Sequence, residues 1–91
     1  MENKNQMKSI LYFTADWCAP CKKTMPIVEQ LNTDQIMAKF FIIDVDSDIE
    51  RTKDFEIRSV PTFVVLKNNK EIYRVTGAQT KQQLEELIRY E

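Results

Sequence analysis

The sequence predicts an α/β fold in which a four-stranded mixed sheet is flanked by helices, in the order βαβαββα. Short runs of apolar, β-favouring residues alternate with segments of helical periodicity. A helix separates the first two strands, which predicts a right-handed parallel crossover. Only Asn68-Asn69 separates the last two strands, and asparagine tolerates positive φ, so these strands are predicted to form an antiparallel hairpin.

The composition is that of one small folded domain. The 91 residues are 43% hydrophobic and 30% charged, with a net charge of -1 and no histidine. Residues 1–7 are polar and predicted to be flexible, and residues 8–91 are predicted to fold. Because the charges are mixed and no apolar run could span a bilayer, we expect no nucleic-acid or membrane partner. The N-terminus lacks a signal-peptide pattern, so we expect a cytoplasmic location.

The first strand and helix surround the chain's two cysteines. Residues 9–14 are apolar and β-favouring, which predicts a buried strand. A helix is expected to begin near Cys18 and to end at residues 32–34, with Pro20 in its first turn, where a missing N–H costs nothing. Pro26 lies inside the helix and should bend it. The predicted buried face of this helix consists of Cys21, Met25, Val28 and Leu31.

The remaining elements follow in the second half of the chain. Residues 40–45 are hydrophobic nearly throughout, which favours a central strand buried on both faces. Ser47 begins a capping-box pattern that predicts a short helix ending near Phe55. Residues 63–67 and 71–76 are predicted to form the hairpin. Gly77 follows, and a second capping box predicts a final helix, with Thr80 and Gln83 in the box and Leu84, Leu87 and Ile88 on the apolar face.

The tetrapeptide Cys18-Ala19-Pro20-Cys21 predicts a redox-active cysteine pair. Residues i and i+3 of a helix have Cα atoms roughly 5 Å apart, within the range of about 4.4–6.8 Å that a disulfide requires. Cys18 lies where the helix N-terminus, Lys22 and Lys23 stabilise an anion, so it is predicted to be the nucleophile. Cys21, one turn further on the buried face, is predicted to resolve the mixed disulfide.

Two other interpretations of the cysteines remain open. The pair could form half of a zinc site, although with no histidine and no further cysteine the ligand count is two short, and carboxylates or a second copy would have to complete it. The cysteines could also be inert core residues, although a position that opens a helix beside a tryptophan does not favour that.

Several motifs at compatible spacings resemble the thioredoxin family, from about residue 9 to the end of the chain. They are Phe13-x-Ala15-x-Trp17-Cys18-x-Pro20-Cys21-Lys22, Pro26, Val60-Pro61-Thr62 and Gly77. The resemblance implies a thioredoxin fold lacking the first strand and helix, with strand order 2-1-3-4 and one exposed sheet edge. It also implies that Pro61 is cis and faces the cysteines.

The resemblance further implies a docking surface for protein disulfides. Its residues would be Trp17, Ala19, Pro20, Val60, Pro61 and Gly77, and the backbone of Val60 would pair with an extended client segment. The residues also permit simpler interpretations: Trp17 could be a partly buried core residue, Pro61 could follow an ordinary trans bond, and Gly77 could only terminate a strand.

Several positions depart from the family pattern. Tyr12 stands where family members often carry a buried aspartate that accepts the proton of the buried thiol, and Ile42 stands where a lysine often accompanies it. Ala19 also replaces the usual glycine. The proton acceptor for Cys21 is therefore open, with water and a hydrogen bond from the Tyr12 hydroxyl as the candidates.

The function expected from this pattern is that of a monomeric thiol-disulfide oxidoreductase, a protein-disulfide reductase. It would use no cofactor beyond the Cys18–Cys21 disulfide, and a flavoprotein thioredoxin reductase would supply its electrons. A redox-independent interaction module built on the same fold is the alternative, because an open sheet edge invites a partner. A third possibility, an oxidase or isomerase, would require export to an oxidising compartment.

Overall fold

A computed structural model describes residues 8–90 of the chain. Its elements are β1 (Lys8–Thr14), α1 (Ala19–Asp34), β2 (Lys39–Asp44), α2 (Ile49–Asp54), β3 (Thr62–Lys67), β4 (Lys70–Thr76) and α3 (Lys81–Arg89). This order confirms the predicted βαβαββα arrangement. The segment predicted to be flexible, residues 1–7, lies outside the described residues.

The strands form one mixed sheet in the order β2-β1-β3-β4. β1 pairs with β2 in parallel and with β3 antiparallel, and β3 pairs antiparallel with β4. The predicted strand order and hairpin are therefore confirmed. Asn68 and Asn69 make the hairpin turn with φ of 54° and 69°, the left-handed conformation that asparagine adopts more readily than most residues.

The prediction that β2 is a central strand buried on both faces is wrong. β2 has β1 on one side only and is an edge strand of the sheet that residues 8–90 form. Phe41 and Ile42, whose side chains point to opposite faces of the sheet, are accordingly exposed, by 41% and 45%. An unbroken apolar run reports that a strand is hydrophobic but not how many strands flank it. The edge exposure implied by the thioredoxin resemblance describes β2 correctly.

The helix ends follow local side-chain chemistry. The capping box of α3 is present, with the Thr80 side chain accepting the Gln83 N–H and the Gln83 side chain accepting the Thr80 N–H. In α2 the cap is Asp48, whose carboxylate accepts the Arg51 N–H, and not Ser47 as the sequence pattern suggested. α1 continues unbroken through the exposed Pro26, so the bend expected there stays a prediction.

Side chains alternate across the sheet and form two cores. One lies between the sheet and helices α1 and α3 and includes Tyr12, Val28, Phe63 and Leu84. The other lies under α2 on the opposite face and comprises Leu11, Phe13, Ile43 and Val64. At the carboxyl end of β1 a third, smaller cluster contains Ala15, Cys18 and Cys21. The packed sheet thus holds the cysteine pair at one end of the domain.

Candidate active site

The two cysteines are joined in the first turn of α1. Cys18 is the N-cap of the helix, and its Sγ accepts the backbone N–H of Cys21 at 3.2 Å. Their Cα atoms are 5.2 Å apart and the sulfurs form a disulfide, as the i, i+3 spacing predicts. The backbone N–H of Cys18 donates to the Ala15 carbonyl at 3.2 Å, which closes the turn between β1 and the helix. The disulfide can therefore form and break without a rearrangement of the backbone.

The two sulfurs differ in their access to the surface, although both are largely buried. Cys18 retains 5% of its exposure and Cys21 retains 1%. Val45 and Val60 pack against the cluster that contains both. The carbonyl oxygen of Val60 lies 3.7 Å from the Sγ of Cys18. Cys18 thus lies beside the Val60 backbone, and Cys21 lies deeper on the same helix.

Trp17 is an exposed side chain and not a core residue. Its side chain is 68% exposed, which excludes the buried interpretation. The indole Nε1 donates to the Asp46 carboxylate at 2.9 Å, and the Asp46 N–H donates to the Asp44 carboxylate at 2.8 Å. These bonds tie the indole to the loop that follows β2. Asp46 is a site neighbour that the sequence pattern did not identify.

The other predicted docking residues lie at the same end of the domain. Ala19 and Pro20 are exposed in the first turn of α1. The Val60–Pro61 peptide bond is cis, as the resemblance implies. Gly77 has φ of 94°, a conformation that glycine adopts at least cost, and its N–H donates to the Pro61 carbonyl at 2.8 Å. Gly77 therefore holds the segment before β3 in addition to ending β4.

Tyr12 lies beneath the cysteine pair. Its side chain is fully buried, and its hydroxyl donates to the backbone carbonyl of Cys21 at 2.8 Å, so the bond goes to the backbone and not to the sulfur. Burial raises the pKa of Tyr12 above its ordinary value of 10, and a hydrogen bond with Thr14 opposes that rise. The hydroxyl is consequently a neutral donor at physiological pH. Ile42, the other departure, lies on the exposed edge strand.

A second approach to Cys21 runs through a surface groove. The groove has a volume of about 270 Å³ and is lined by Thr14, Ala15, Asp16, Cys21, Lys22, Met25 and Pro26. The groove is large enough to hold water and lies against the helical turn that carries Cys21, next to the charged Asp16 and Lys22. Sequence patterns gave no signal for this groove, because it depends on how the loop after β1 packs against α1.

No group of three or more metal-ligating side chains occurs within residues 8–90. In the same part of the chain, no helix has the length and apolar character needed to cross a membrane.

Thr24 is a buried residue of α1 that the apolar periodicity missed, and its hydroxyl donates to the Pro20 carbonyl at 3.0 Å. This bond supports the helical turn that carries both cysteines.

Comparison with known proteins agrees with this geometry. The chain is 39% identical over 79 residues to the TPR repeat-containing thioredoxin TDX of Arabidopsis thaliana, a match that covers 87% of this chain and 20% of that protein. It is 34% identical over 88 residues to thioredoxin of Staphylococcus haemolyticus, covering 96% of this chain and 85% of that one. The X-ray structure of Fasciola hepatica thioredoxin superposes with a TM-score of 0.86 at 32% identity, covering 98% of this chain and 86% of that one. The thioredoxin family model matches residues 2–90, and the chain therefore belongs to the thioredoxin family.

Proposed function

We propose a dithiol exchange cycle for this thioredoxin-family thiol-disulfide oxidoreductase, with Cys18 as the nucleophile. The thiolate of Cys18 attacks one sulfur of a client protein disulfide. A bond forms between Cys18 and the client, the client S–S bond breaks, and the second client sulfur leaves as a thiolate that takes up a proton. The observation that carries this assignment is the N-cap position of Cys18, whose sulfur accepts the Cys21 N–H.

Cys21 completes the cycle. Its thiol loses a proton and attacks the Cys18 sulfur. The bond between Cys18 and the client breaks, the intramolecular disulfide closes, and the client sulfur that was bonded to Cys18 leaves as a thiolate that takes up a proton. Two electrons pass to the client, and its two sulfurs end as thiols. We assign the acceptance of the Cys21 proton to water in the groove beside Asp16 and Lys22, because the Tyr12 hydroxyl is bonded to the Cys21 carbonyl.

The client docks on the surface around Cys18. The exposed indole of Trp17 supplies an apolar contact, and an extended client segment pairs with the backbone of Val60, whose carbonyl lies 3.7 Å from the Cys18 sulfur. The remaining exposed members of the proposed docking surface are Ala19, Pro20 and Gly77. Pro61 is fully buried and contributes through its carbonyl, which accepts the Gly77 N–H.

We propose the partners and setting of this cycle by extension from the family. A flavoprotein thioredoxin reductase returns the disulfide to the dithiol, so the chain itself binds no cofactor. Residues 8–91 form one thioredoxin-like domain that acts as a monomer in the cytoplasm.

The cysteine roles are tested by insulin reduction with dithiothreitol as the electron source. Cys18→Ser abolishes the turnover that exceeds reduction by dithiothreitol alone. Cys21→Ser, reduced and freed of dithiothreitol before the client is added, forms a client adduct through Cys18 that is visible by mass spectrometry and is removed when reductant is added back. Thr33→Ala, on the far end of α1, serves as the control that keeps wild-type activity. Turnover that survives Cys18→Ser would refute the assignment.

A redox-independent interaction module is the second candidate, and the exposed Phe41 and Ile42 on the edge strand favour it. Such a module would bind its partners equally well in the oxidised and reduced states. Binding partners that disappear when both cysteines are replaced by alanine would count against it and in favour of dithiol exchange.

A further inference from the structure

The outer edge of β2 is a strand edge on which a second chain could pair. β2 carries the sequence Lys39-Phe40-Phe41-Ile42-Ile43-Asp44, and no strand lies beyond it within residues 8–90. Phe41 and Ile42 are exposed on it. A strand edge of β-favouring residues offers unpaired backbone groups to a second chain, and a copy of the same strand is always available to pair with it.

The ladder with β1 determines which backbone groups face outward. The Val45 N–H donates to the Thr14 carbonyl at 2.9 Å, so Val45 points toward β1. Backbone groups alternate in direction along a strand. The N–H and C=O groups of Phe40, Ile42 and Asp44 therefore point away from the sheet, toward any incoming strand.

The outward groups of Phe40 are already occupied by the side chain of Asn32. The Phe40 N–H donates to the Asn32 Oδ1 at 2.8 Å, and the Asn32 Nδ2 donates to the Phe40 carbonyl at 2.9 Å. This two-bond exchange is the pattern that a directly opposed residue of an antiparallel strand makes. One carboxamide in the last turns of α1 thus takes the place of a strand neighbour.

The other end of the edge is closed by the backbone. The Asp44 carbonyl accepts the N–H groups of Ser47 at 3.1 Å and Asp48 at 2.8 Å. Within residues 8–90, no side chain or turn covers the outward groups of Ile42. Among the described residues of β2, Ile42 at its centre is therefore the outward position whose N–H and C=O are both open to an incoming strand.

Gln35 fixes the segment that leads into β2. Its side-chain oxygen accepts the N–H groups of Met37 at 2.9 Å and Ala38 at 3.1 Å, and its amide donates to the carbonyls of Leu31 at 3.0 Å and Ala38 at 2.8 Å. The end of α1 and the start of β2 are consequently held together just before Phe40. This anchorage keeps Phe40 opposite Asn32.

We propose that Asn32 substitutes for a neighbouring strand at the outer edge of β2, and that this substitution prevents edge-to-edge pairing with a second copy of the chain. The inference is independent of the redox cycle, because the Asn32 side chain bonds the backbone of Phe40, which takes no part in that cycle. The edge is kept closed by hydrogen bonds to the backbone, and the apolar side chains of Phe41 and Ile42 can remain exposed.

Amide hydrogen exchange on the unmodified protein gives the first test. A hydrogen bond stabilises the protected state of an amide by about 1 kcal/mol. The Phe40 amide should therefore exchange at least about five times more slowly than the Ile42 amide on the same edge. Equal exchange at the two amides would overturn the proposal. This measurement needs no variant and is made at a dilution where the chain is monomeric.

Replacement of Asn32 gives the second test. Sedimentation velocity over a concentration series should show a monomer for the unmodified chain and for Thr33→Ala, the neighbouring control whose hydroxyl bonds only the Glu29 carbonyl. Asn32→Ala should show concentration-dependent association. The Cys18–Cys21 disulfide is kept closed, so that intermolecular disulfides do not contribute.

Asn32→Asp provides a milder variant should Asn32→Ala fail to fold. Aspartate can still accept the Phe40 N–H but cannot donate to its carbonyl, so association is expected to be weaker than for alanine and stronger than for Thr33→Ala. A folded Asn32 variant that stays monomeric at every concentration, with the Phe40 amide exchanging as in the unmodified chain, would refute the proposal.

Discussion

The end of the domain that carries Cys18, Trp17 and Val60, here called the redox end, differs from the outer edge of β2. Both regions have exposed apolar side chains and backbone groups, but these groups have different surroundings. At the redox end Trp17 is exposed and the Val60 carbonyl lies beside the Cys18 sulfur. At the β2 edge Asn32 occupies the backbone of Phe40. Exposed apolar surface therefore occurs in both regions, and the reactive sulfur beside the Val60 backbone is what distinguishes the proposed docking surface from the β2 edge.

The largest effect that separates the two regions is expected from Trp17→Ala. Truncation of an interface tryptophan commonly costs more than 1.4 kcal/mol, so KM for a protein disulfide should rise about tenfold or more. The free energy of unfolding should change by less than about 0.5 kcal/mol, because the side chain is exposed. Insulin-reduction kinetics and urea denaturation measure the two quantities.

Trp17→Phe is the control for this prediction, because it keeps an aromatic contact and removes only the bond to Asp46. It should recover most of the lost affinity. An unchanged KM for Trp17→Ala would mean that clients dock elsewhere, and the redox end would then not differ from the β2 edge as a docking surface.

Gly77→Ala probes the backbone that supports the redox end. Gly77 has φ of 94°, and no atom lies within 4 Å of an added Cβ, so the cost is conformational strain and not a clash. We expect a loss of about 1–2 kcal/mol in the free energy of unfolding. Ala78→Gly, at the exposed neighbouring position, is the control and should cost less. Equal stability of Gly77→Ala and the unmodified chain would show that this turn relaxes freely.

Tyr12→Phe tests the buried hydrogen bond under the cysteine pair. Loss of the bond to the Cys21 carbonyl should cost about 1 kcal/mol at neutral pH. Since burial raises the pKa of Tyr12 above 10, the unfolded chain ionises first as pH rises, and the stability contributed by this residue is lost above pH 10. The stability difference between the unmodified chain and the variant should therefore narrow above that pH.

Denaturant titrations at neutral and alkaline pH measure this difference. Tyr73→Phe, an exposed tyrosine of β4, provides a matched control with a smaller effect at neutral pH. A difference that widens with rising pH would contradict the assignment of a buried, neutral hydroxyl to Tyr12.

Local patterns in the sequence predicted the cysteine geometry, the hairpin turn and the cap of α3, because each depends on residues close together in the chain. The apolar run of β2 predicted a central strand, which is wrong, because such a run does not indicate how many strands lie beside it; the strand order implied by the family resemblance gave its position correctly. The cap of α2 shifted by one residue because Asp48 and Ser47 are both good capping residues.

The contacts of Asn32 and Asp46 could not be predicted. Asn32 lies near the end of a helix, where asparagine is unremarkable, and its partner Phe40 is fixed only when α1 packs beside β2. Asp46 meets the Trp17 indole across 29 residues of sequence. Contacts of this kind depend on tertiary packing, and a single sequence carries no local signal for them.

The smallest effect is expected from Ile42→Thr at the centre of the β2 edge. Threonine keeps the β-branched shape and leaves the backbone unchanged, and the side chain is already 45% exposed, so stability should change by less than about 0.5 kcal/mol. KM for a protein disulfide should equal that of the unmodified chain, measured beside Trp17→Ala in the same assay. A rise in KM would mean that clients also contact the β2 edge, and the two regions would then form one continuous docking surface despite the closure by Asn32.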